Sequence, residues 1–420
     1  APETAVSPRI TALAAAVSSG GSGGGQGVAG PAEEQFWDEV AQIGTPLVEP
    51  IPDDPDHLAV TFLWRGTPET RGVIAMVNRL MDPMNPSASG MWRVDGTDVW
   101  YITYRLRTDH SGSYRMVVLD GDAPDLTPRA LQERGVHDPF NPWSIATRWG
   151  DTRASVFELP DAPAPAWRPW ADEPGIPYGT VTREHVPSTA LGADRETWVY
   201  VPPSPAAATL VLLDGDMWFG RLGIQAMFDR LIADGTIPPL AVLSPHAVSN
   251  PTRMSELGGD EGFARFLTSE LLPWARGRFD LPPGLVLLAG ESLGGLTALK
   301  VGLEASGCFN GVLAQSASTW WKPTAETDSA GCWVAEQYAR TTTRDLRVHL
   351  RVGVHEWAVL QQHRNLRDTL EAQGFPASYT EYNGGHDYVC WAHGLAEGLT
   401  DLLTPEPPGR LRAASSHSGS

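Results

Sequence analysis

The spacing of hydrophobic and polar residues differs between the two halves of the chain. The first half holds short β-branched and aromatic runs between Gly, Pro and Asp clusters, such as Val60–Leu63, Val99–Tyr104 and Tyr114–Leu119. This pattern predicts an all-β segment. The second half holds continuous apolar runs, such as Leu285–Ala289, and stretches with helical apolar spacing, such as Leu360–Gln373. Strands that alternate with helices in this way predict an α/β domain.

Length and composition divide the chain in the same way. With 420 residues it is too long for one core and suits two domains. The Pro-rich segment 161–179 predicts a stiff linker, because proline disfavours both helix interiors and sheet pairing. We therefore predict a β-domain at 31–160 and an α/β domain at 180–405. Low-complexity composition at the two ends predicts a disordered leader at 1–30 and a disordered tail at 406–420.

The sequence G-x-S-x-G occupies Gly290–Gly294, between the apolar run Leu285–Ala289 and the helix-prone stretch Leu296–Lys300. In the order strand, sharp turn and helix, this motif places its serine on a strained elbow that only glycines on either side permit. The serine hydroxyl is then exposed at the carboxyl end of a strand, above the start of a helix. We predict that Ser292 is the nucleophile of an α/β-hydrolase.

A nucleophilic serine needs a base and an orienting acid, which follow it in this fold in the order acid, histidine. Val348–Val352 is predicted to be a strand, and Glu356 lies in the loop beyond it. Ala377–Tyr382 is predicted to be the last strand, and His386 lies between it and the final helix. We predict His386 as the base and Glu356 as the acid. Asp387 is the alternative acid, or else a helix cap.

An oxyanion hole requires backbone donors after the nucleophile and at the end of an earlier strand. Thr209–Leu213 is predicted to be that strand, and a turn follows it. The N–H groups of Leu293 and Asp216 are the predicted donors. Trp218 either forms a wall of the substrate pocket or lies in the core.

A metal site is not expected to perform the chemistry. His355, Glu356 and His363 lack the H-E-x-x-H spacing that places two imidazoles on one helical face. We predict that the protein uses neither a metal nor another cofactor.

Several stretches match one family in that family's order. In the second half they are Val211–Trp218, Arg253–Leu257, Ser269–Pro273, Ala289–Leu296 and Gly384–Trp391. In the first half they are Phe36–Trp37, Gly44–Leu47, Val60–Gly66, Asp98–Trp100 and Asp138–Pro142. The chain therefore resembles the enterochelin esterases, which are esterase-D-like α/β-hydrolases with a domain of their own at the amino terminus. The resemblance implies that this first domain is an immunoglobulin-like sandwich.

Two positions depart from the family pattern. The acid loop of such enzymes usually has Gly, a variable residue, Arg, Glu and Pro, whereas this chain has Gly353–Trp357, in which only the glycine and glutamate are retained. The elbow has Glu291 where Gln is common. A carboxylate beside Ser292 would raise the pKa of the histidine if it pointed inward.

The formal charge of −19 disfavours nucleic acids and anionic membranes as partners. The family resemblance implies a ferric catecholate as the substrate, which is also anionic, so we expect a local cation to attract it. The resemblance and the chain position make Arg253 the candidate, and an ion pair with Glu256 is a compatible structural role.

Three cysteines cannot all pair within one chain, which indicates a reducing compartment. Leu13–Val17 is too short to span a bilayer and is not a complete secretion signal. We predict a cytoplasmic monomer that acts on a small molecule.

These residues predict serine ester hydrolysis in two half-reactions, through an acyl-enzyme. The resemblance implies the substrate, a cyclic trilactone siderophore with catechol groups that is opened to release iron. The alternative is an esterase for feruloyl or acetyl groups on carbohydrates, with a sugar-binding β-domain.

Overall fold

The protein is described by a computed structural model that covers residues 2–19, 30–120, 125–148, 151–164, 176–323 and 332–404. The chain forms two compact units. The first unit comprises Ala1–Ala164 and Asn383–Val389, and the second comprises Pro165–Tyr382 and Cys390–Ser420. The division falls inside the predicted linker, of which residues 165–175 lie outside the described residues. Segment 383–389, which the sequence assigned to the α/β domain, packs instead with the first unit.

The first unit contains two four-stranded antiparallel sheets. Their orders are β1-β2-β5-β4 and β3-β6-β8-β7. The strands are β1 (Leu47–Ile51), β2 (Asp54–Arg65), β3 (Gly72–Val77), β4 (Trp92–Arg93), β5 (Val99–Arg107), β6 (Ser111–Leu119), β7 (Ser144–Ala146) and β8 (Arg153–Glu158). The helices are α1 (Pro8–Ser19), α2 (Pro31–Ile43), α3 (Pro128–Arg134) and a 3₁₀ turn at Pro86–Ser89.

Both sheets contribute to one hydrophobic core. Phe62 and Tyr104 from the first sheet are buried with Tyr114, Met116 and Phe157 from the second. The rings of Phe62 and Tyr114 lie 4.8 Å apart, nearly perpendicular to each other, which is a favourable aromatic arrangement. The prediction of a β-rich amino-terminal region is confirmed.

Helix α1 contradicts the predicted disordered leader at 1–30. Its Ile10 and Leu13 are buried in a cluster with Trp37 and Val40 of α2. Ser7 caps the helix, because its hydroxyl oxygen accepts the N–H of Ile10 at 3.2 Å. The prediction extended the Gly- and Ser-rich composition to residues that bury apolar surface. Residues 20–29 lie outside the described residues.

The second unit contains one eight-stranded sheet in the order β9-β10-β12-β11-β13-β14-β15-β16. β10 is antiparallel to β9 and β12, and the pairs from β12 to β16 are parallel. The strands are β9 (Thr180–Val186), β10 (Arg195–Val201), β11 (Ala208–Leu212), β12 (Leu240–Pro245), β13 (Leu285–Glu291), β14 (Gly311–Gln315), β15 (Arg347–Gly353) and β16 (Ala377–Tyr382).

From β11 onward, helices alternate with these strands along the chain. They are α4 (Gly215–Trp218), α5 (Gln225–Ala233), α6 (Asn250–Glu256), α7 (Glu261–Arg265), α8 (Leu272–Phe279), α9 (Leu293–Glu304), α10 (Trp333–Arg340), α11 (Trp357–Ala372) and α12 (Tyr388–Leu403), with a π-helical turn at Phe266–Leu271. None of the helices in the described ranges is both long and apolar enough to cross a membrane. The prediction of an α/β domain in the second half is confirmed.

The topology decides where the site residues lie. β11 and β14 are buried along their whole length, and β13 is buried at every position after its first residue, Leu285, as their apolar sequences require of central parallel strands. The carboxyl ends of parallel strands meet at one edge of the sheet, where ligands bind in α/β folds. Asp214, Ser292, Ser316 and Glu356 follow β11, β13, β14 and β15, respectively.

Candidate active site

Ser292 lies on a sharp turn between β13 and α9. Its backbone has φ 58° and ψ −122°, a conformation that L-residues rarely adopt. The Ser292 N–H donates to the Gln315 carbonyl at 2.9 Å, and its own carbonyl accepts the Ser318 N–H at 2.9 Å. A Cβ at position 290 would lie 2.5 Å from the Gly294 carbonyl oxygen, so Gly290 is required. The turn has the strained geometry that the motif predicts.

The Ser292 hydroxyl lies at the start of α9. Its Oγ is 3.4 Å from the Ser318 hydroxyl oxygen. Leu293 is the first residue of α9, where backbone N–H groups have no partner within the helix and the helix dipole favours negative charge. The geometry suits a nucleophile with an amide donor beside it.

Glu356 is buried at the carboxyl end of β15. Its Oε1 accepts the Ser316 hydroxyl at 2.6 Å and the Gly353 N–H at 3.0 Å, and the Tyr382 hydroxyl lies 3.3 Å away. Burial and the charge of Glu356 raise the pKa of Tyr382 well above its usual value, so its phenol stays protonated. The Trp391 indole N–H donates to the Ser316 hydroxyl oxygen at 2.9 Å.

Sequence reasoning missed this network around Glu356. Ser316 follows β14 at the same sheet edge as Ser292, with a positive φ of 44°, and Tyr382 ends β16. Trp391 belongs to the G-G-H-D-x-x-C-W string that carried the family resemblance. The position of Ser316 directly after a buried strand was the available signal.

His386 is half-buried on the segment Asn383–Val389, which belongs to the first unit. It follows Tyr382, the end of β16, by four residues. The His386 carbonyl accepts the side-chain amide of Asn78 at 2.9 Å. The structure thus places Ser292 and Glu356 at one edge of the second unit's sheet, and the assignment of His386 as their base stays a prediction.

Asp387 uses both carboxylate oxygens for backbone N–H groups. Oδ2 accepts the Ser113 N–H at 2.6 Å, and Oδ1 accepts the Val389 N–H at 3.0 Å. Burial raises the pKa of Asp387, although these hydrogen bonds and the nearby His386 oppose the shift. The bond to Val389, in the first turn of α12, is that of a helix cap.

The turn after β11 carries the second predicted oxyanion donor. Asp214 has a positive φ of 63°, and α4 begins at Gly215. A Cβ at position 215 would lie 2.2 Å from the Ser244 carbonyl oxygen, so only glycine allows this turn. Asp216 lies within α4, and its Oδ1 accepts the Ala247 N–H at 3.1 Å.

Arg253 forms a bidentate ion pair with Asp214 and is only 7% exposed. The pairing that the sequence suggested, with Glu256, is wrong. Glu256 binds Arg195 instead, at 2.5 and 2.8 Å. Residues three positions apart on a helix can meet. Here, however, Arg253 pairs with a carboxylate in the turn after β11, and Glu256 pairs with a guanidinium in β10.

Trp218 lies in the core. Its side chain is 0% exposed, and its indole N–H donates to Oε2 of the fully buried Glu291 at 3.2 Å. A ring without exposed surface cannot form a pocket wall, so the core interpretation of Trp218 is supported. The Glu291 carboxylate accordingly has a structural partner in Trp218.

Of the two histidines considered for a metal site, His363 lies within hydrogen-bond distance of two backbone groups. His363 is buried, with Nε2 3.0 Å from the Ala317 N–H and Nδ1 2.9 Å from the Val359 carbonyl. Within the described part of the chain, no group of three or more His, Cys, Asp or Glu could hold a metal ion. Cys308, Cys332 and Cys390 do not form disulfide bonds.

A serine on a strand-to-helix elbow after β13, with a buried carboxylate after β15 at the same sheet edge, is typical of serine hydrolases. Residues 188–402 match the esterase family, and residues 59–168 match the amino-terminal domain of enterochelin esterases. The chain belongs to the enterochelin esterase family and is a hydrolase.

Curated relatives are similar along nearly their whole length. The iron(III) salmochelin esterase of Escherichia coli O6:H1 is 30% identical over 87% of this chain and 92% of the relative. The iron(III) enterobactin esterase of Dickeya dadantii is 30% identical over 90% of this chain and 94% of the relative. Both units are therefore represented in the relatives.

Solved structures give the same result. The ferric enterobactin esterase of Salmonella typhimurium has a TM-score of 0.76 at 27% identity and covers 88% of this chain and 98% of its own. The enterobactin esterase of Shigella flexneri, crystallised in the presence of enterobactin, has a TM-score of 0.74 at 26% identity, with 88% and 97% covered. The resemblance found in the sequence is confirmed.

Proposed function

We propose that this protein hydrolyses the trilactone backbone of a ferric catecholate siderophore and thereby releases iron. The observation that carries the proposal is the match of both halves of the chain to enterobactin and salmochelin esterases, together with the serine elbow. Iron in this scheme is cargo of the substrate, and the chemistry is ester hydrolysis.

Ser292, His386 and Glu356 are the proposed triad. His386 takes the Ser292 proton as Oγ attacks a lactone carbonyl, and the N–H groups of Leu293 and Asp216 hold the oxyanion. His386 then protonates the departing alkoxide, which leaves an acyl-enzyme. A water that gives its proton to His386 attacks the ester, and the acid product leaves as Ser292 recovers its proton.

Glu356 is proposed to orient the imidazole and stabilise its charged form. Three hydrogen-bond donors lie near Oε1 of Glu356 and stabilise an ionised carboxylate there. They are the hydroxyls of Ser316 and Tyr382 and the N–H of Gly353. The alternative acid, Asp387, has both oxygens on backbone amides. This difference favours Glu356.

Arg253 is proposed to act through the turn that carries Asp216. Its guanidinium is buried against the Asp214 carboxylate, so the pair has little net charge for an anionic ligand.

We further propose that the first unit is an immunoglobulin-like sandwich, that the second is an α/β-hydrolase, and that the protein acts as a cytoplasmic monomer. The three cysteines form no disulfide bonds, which is consistent with a reducing compartment.

Product analysis tests the function directly. The purified protein is incubated separately with ferric enterobactin, a feruloylated sugar and an acetylated sugar, and the products are separated by liquid chromatography and mass spectrometry. We expect linear dihydroxybenzoyl-serine products from the siderophore, and none from the Ser292→Ala variant. Rapid cleavage of a sugar ester with the siderophore left intact would favour the carbohydrate esterase and refute the proposal.

A further inference from the structure

The segment that carries His386 is fixed at several points within the first unit. The Asn383 side-chain amide donates to Asp109 at 2.7 Å, and the Ser111 N–H approaches the Asn383 carbonyl at 3.4 Å. At the other end, the Arg148 guanidinium donates to the Tyr388 hydroxyl and lies 5.5 Å from its ring centroid. These contacts bracket the histidine on both sides.

Two contacts lie directly at the histidine. Asn78, just beyond β3, donates its side-chain amide to the His386 carbonyl at 2.9 Å. Asp387 accepts the N–H of Ser113, in β6, at 2.6 Å. β3 and β6 are neighbours in one sheet, and the Asn78 N–H donates to the Ser113 carbonyl at 3.0 Å. One corner of that sheet therefore holds the main chain on both sides of the imidazole.

The segment packs closely against the first unit at this corner. A Cβ at position 385 would lie 2.6 Å from both the Arg79 Cγ and the Asn78 Oδ1. Gly385 is therefore needed for the segment to approach the loop after β3. Displacement of a reacting group by about 1 Å can lower a rate about a hundredfold, so contacts that fix this segment affect the chemical step.

We propose that Asn78 and Asp387 are positioning residues for the His386 imidazole, and that the first unit thereby contributes to the hydrolysis of every ester, small or large. The inference rests on the proposed role of His386 as the base. It differs from a role of the first unit in recognising a bulky substrate, which would leave small neutral esters unaffected.

The test uses the full chain with p-nitrophenyl acetate as substrate and a fluorophosphonate as a probe of serine reactivity. The variants are Asn78→Ala and Asp387→Asn, with His386→Ala measured in parallel. Asn85→Ala is the matched control, because Asn85 is exposed in the same unit and its side chain makes no cap hydrogen bond. Thermal unfolding of each variant reports whether the fold is intact.

If the proposal holds, Asn78→Ala and Asp387→Asn each lower kcat about ten- to a hundredfold, with KM nearly unchanged. The fluorophosphonate reaction slows by the same factor, and Asn85→Ala behaves as wild type. A purely structural role would lower the unfolding temperature and leave kcat per folded molecule unchanged.

The proposal is overturned if both variants keep kcat within about twofold of wild type while His386→Ala is inactive. An active His386→Ala variant would instead refute the base assignment, and the positioning role with it. If Asp387→Asn does not fold, Asn78→Ala decides the matter alone, because the Asn78 side chain is only half-buried.

Discussion

The guanidinium of Arg253 and the carboxylate of Asp214 form a buried bidentate pair, with Nε to Oδ1 and Nη2 to Oδ2 both at 2.7 Å. The pair joins α6 to the turn after β11. Nη2 also approaches the Glu291 carbonyl, one residue before the elbow serine, at 3.5 Å. The same contact thus links the two backbone segments that supply the proposed oxyanion donors.

Arg253→Ala should destabilise the protein and lower turnover of small and large esters in parallel. The variant leaves Asp214 buried without its counter-ion, a change that typically costs about 3–5 kcal/mol. Denaturant unfolding and kcat/KM for p-nitrophenyl acetate and ferric enterobactin measure both effects. Arg183→Ala is the control, since Arg183 pairs with Glu196 at an exposed site and should cost below about 1 kcal/mol.

A different result for Arg253→Ala would restore its predicted role as the cation for the substrate. In that case KM for the ferric siderophore would rise strongly, and the kinetics with p-nitrophenyl acetate and the stability would stay as in wild type. The structure predicts parallel losses instead.

Ser292→Ala should abolish hydrolysis of every ester while the fold is retained, because only one hydroxyl is removed from a half-buried site. We expect turnover to fall at least about a thousandfold. Ser318→Ala is a matched control, since its hydroxyl lies 3.4 Å from that of Ser292. A Ser292→Ala enzyme with about a tenth of wild-type turnover would show that another group is the nucleophile.

The local part of this site could be predicted from the sequence. The elbow depends on contacts between residues four positions apart, because a Cβ on Gly290 would meet the Gly294 carbonyl. Steric requirements between residues so close in the chain can be recognised as a short sequence motif. The position of Glu356 at this sheet edge was predicted by counting strands, because the carboxyl ends of parallel strands share one edge.

Long-range partners could not be predicted in this way. An ion pair with Glu256, three residues away, was the structural alternative for Arg253, but its partner Asp214 is 39 positions distant in the chain. Ser316, Tyr382 and Trp391 meet around Glu356 through side-chain hydrogen bonds that impose no periodic pattern on the sequence. The packing of segment 383–389 with the first unit likewise depends on tertiary contacts with Asn78 and Ser113.

Glu356→Gln should lower kcat about tenfold to ten-thousandfold, because a neutral amide stabilises the imidazolium less and can hold the wrong tautomer. Ser316→Ala should have a smaller effect, since the carboxylate keeps its bonds to Gly353 and Tyr382. Steady-state kinetics with p-nitrophenyl acetate measure both variants. A silent Glu356→Gln, together with a ten-thousandfold loss in Asp387→Asn, would make Asp387 the acid.

The stability of the second unit should depend on pH through Asp401. Its carboxylate, on α12, accepts the Ser378 hydroxyl at 2.6 Å and lies 2.9 Å from Nδ1 of His349. Partial burial opposes ionisation, but these hydrogen bonds and charges outweigh it and lower the pKa of Asp401 from 3.8 to about 2. Asp401 therefore stabilises the fold fully above its unfolded pKa, and this stabilisation is lost as the pH falls through the folded value.

Asp401→Asn should consequently be less stable than wild type by about 2 kcal/mol at pH 7, since one pKa unit corresponds to about 1.4 kcal/mol. Urea unfolding at a series of pH values measures the difference. We expect it to shrink as the pH falls below about 5 and to vanish near pH 2. Asp234→Asn, at an exposed ion pair with Arg230, serves as the control and should change stability little at any pH. A difference between wild type and Asp401→Asn that stays constant from pH 7 to pH 3 would show that the loss comes from packing rather than from the ionised carboxylate.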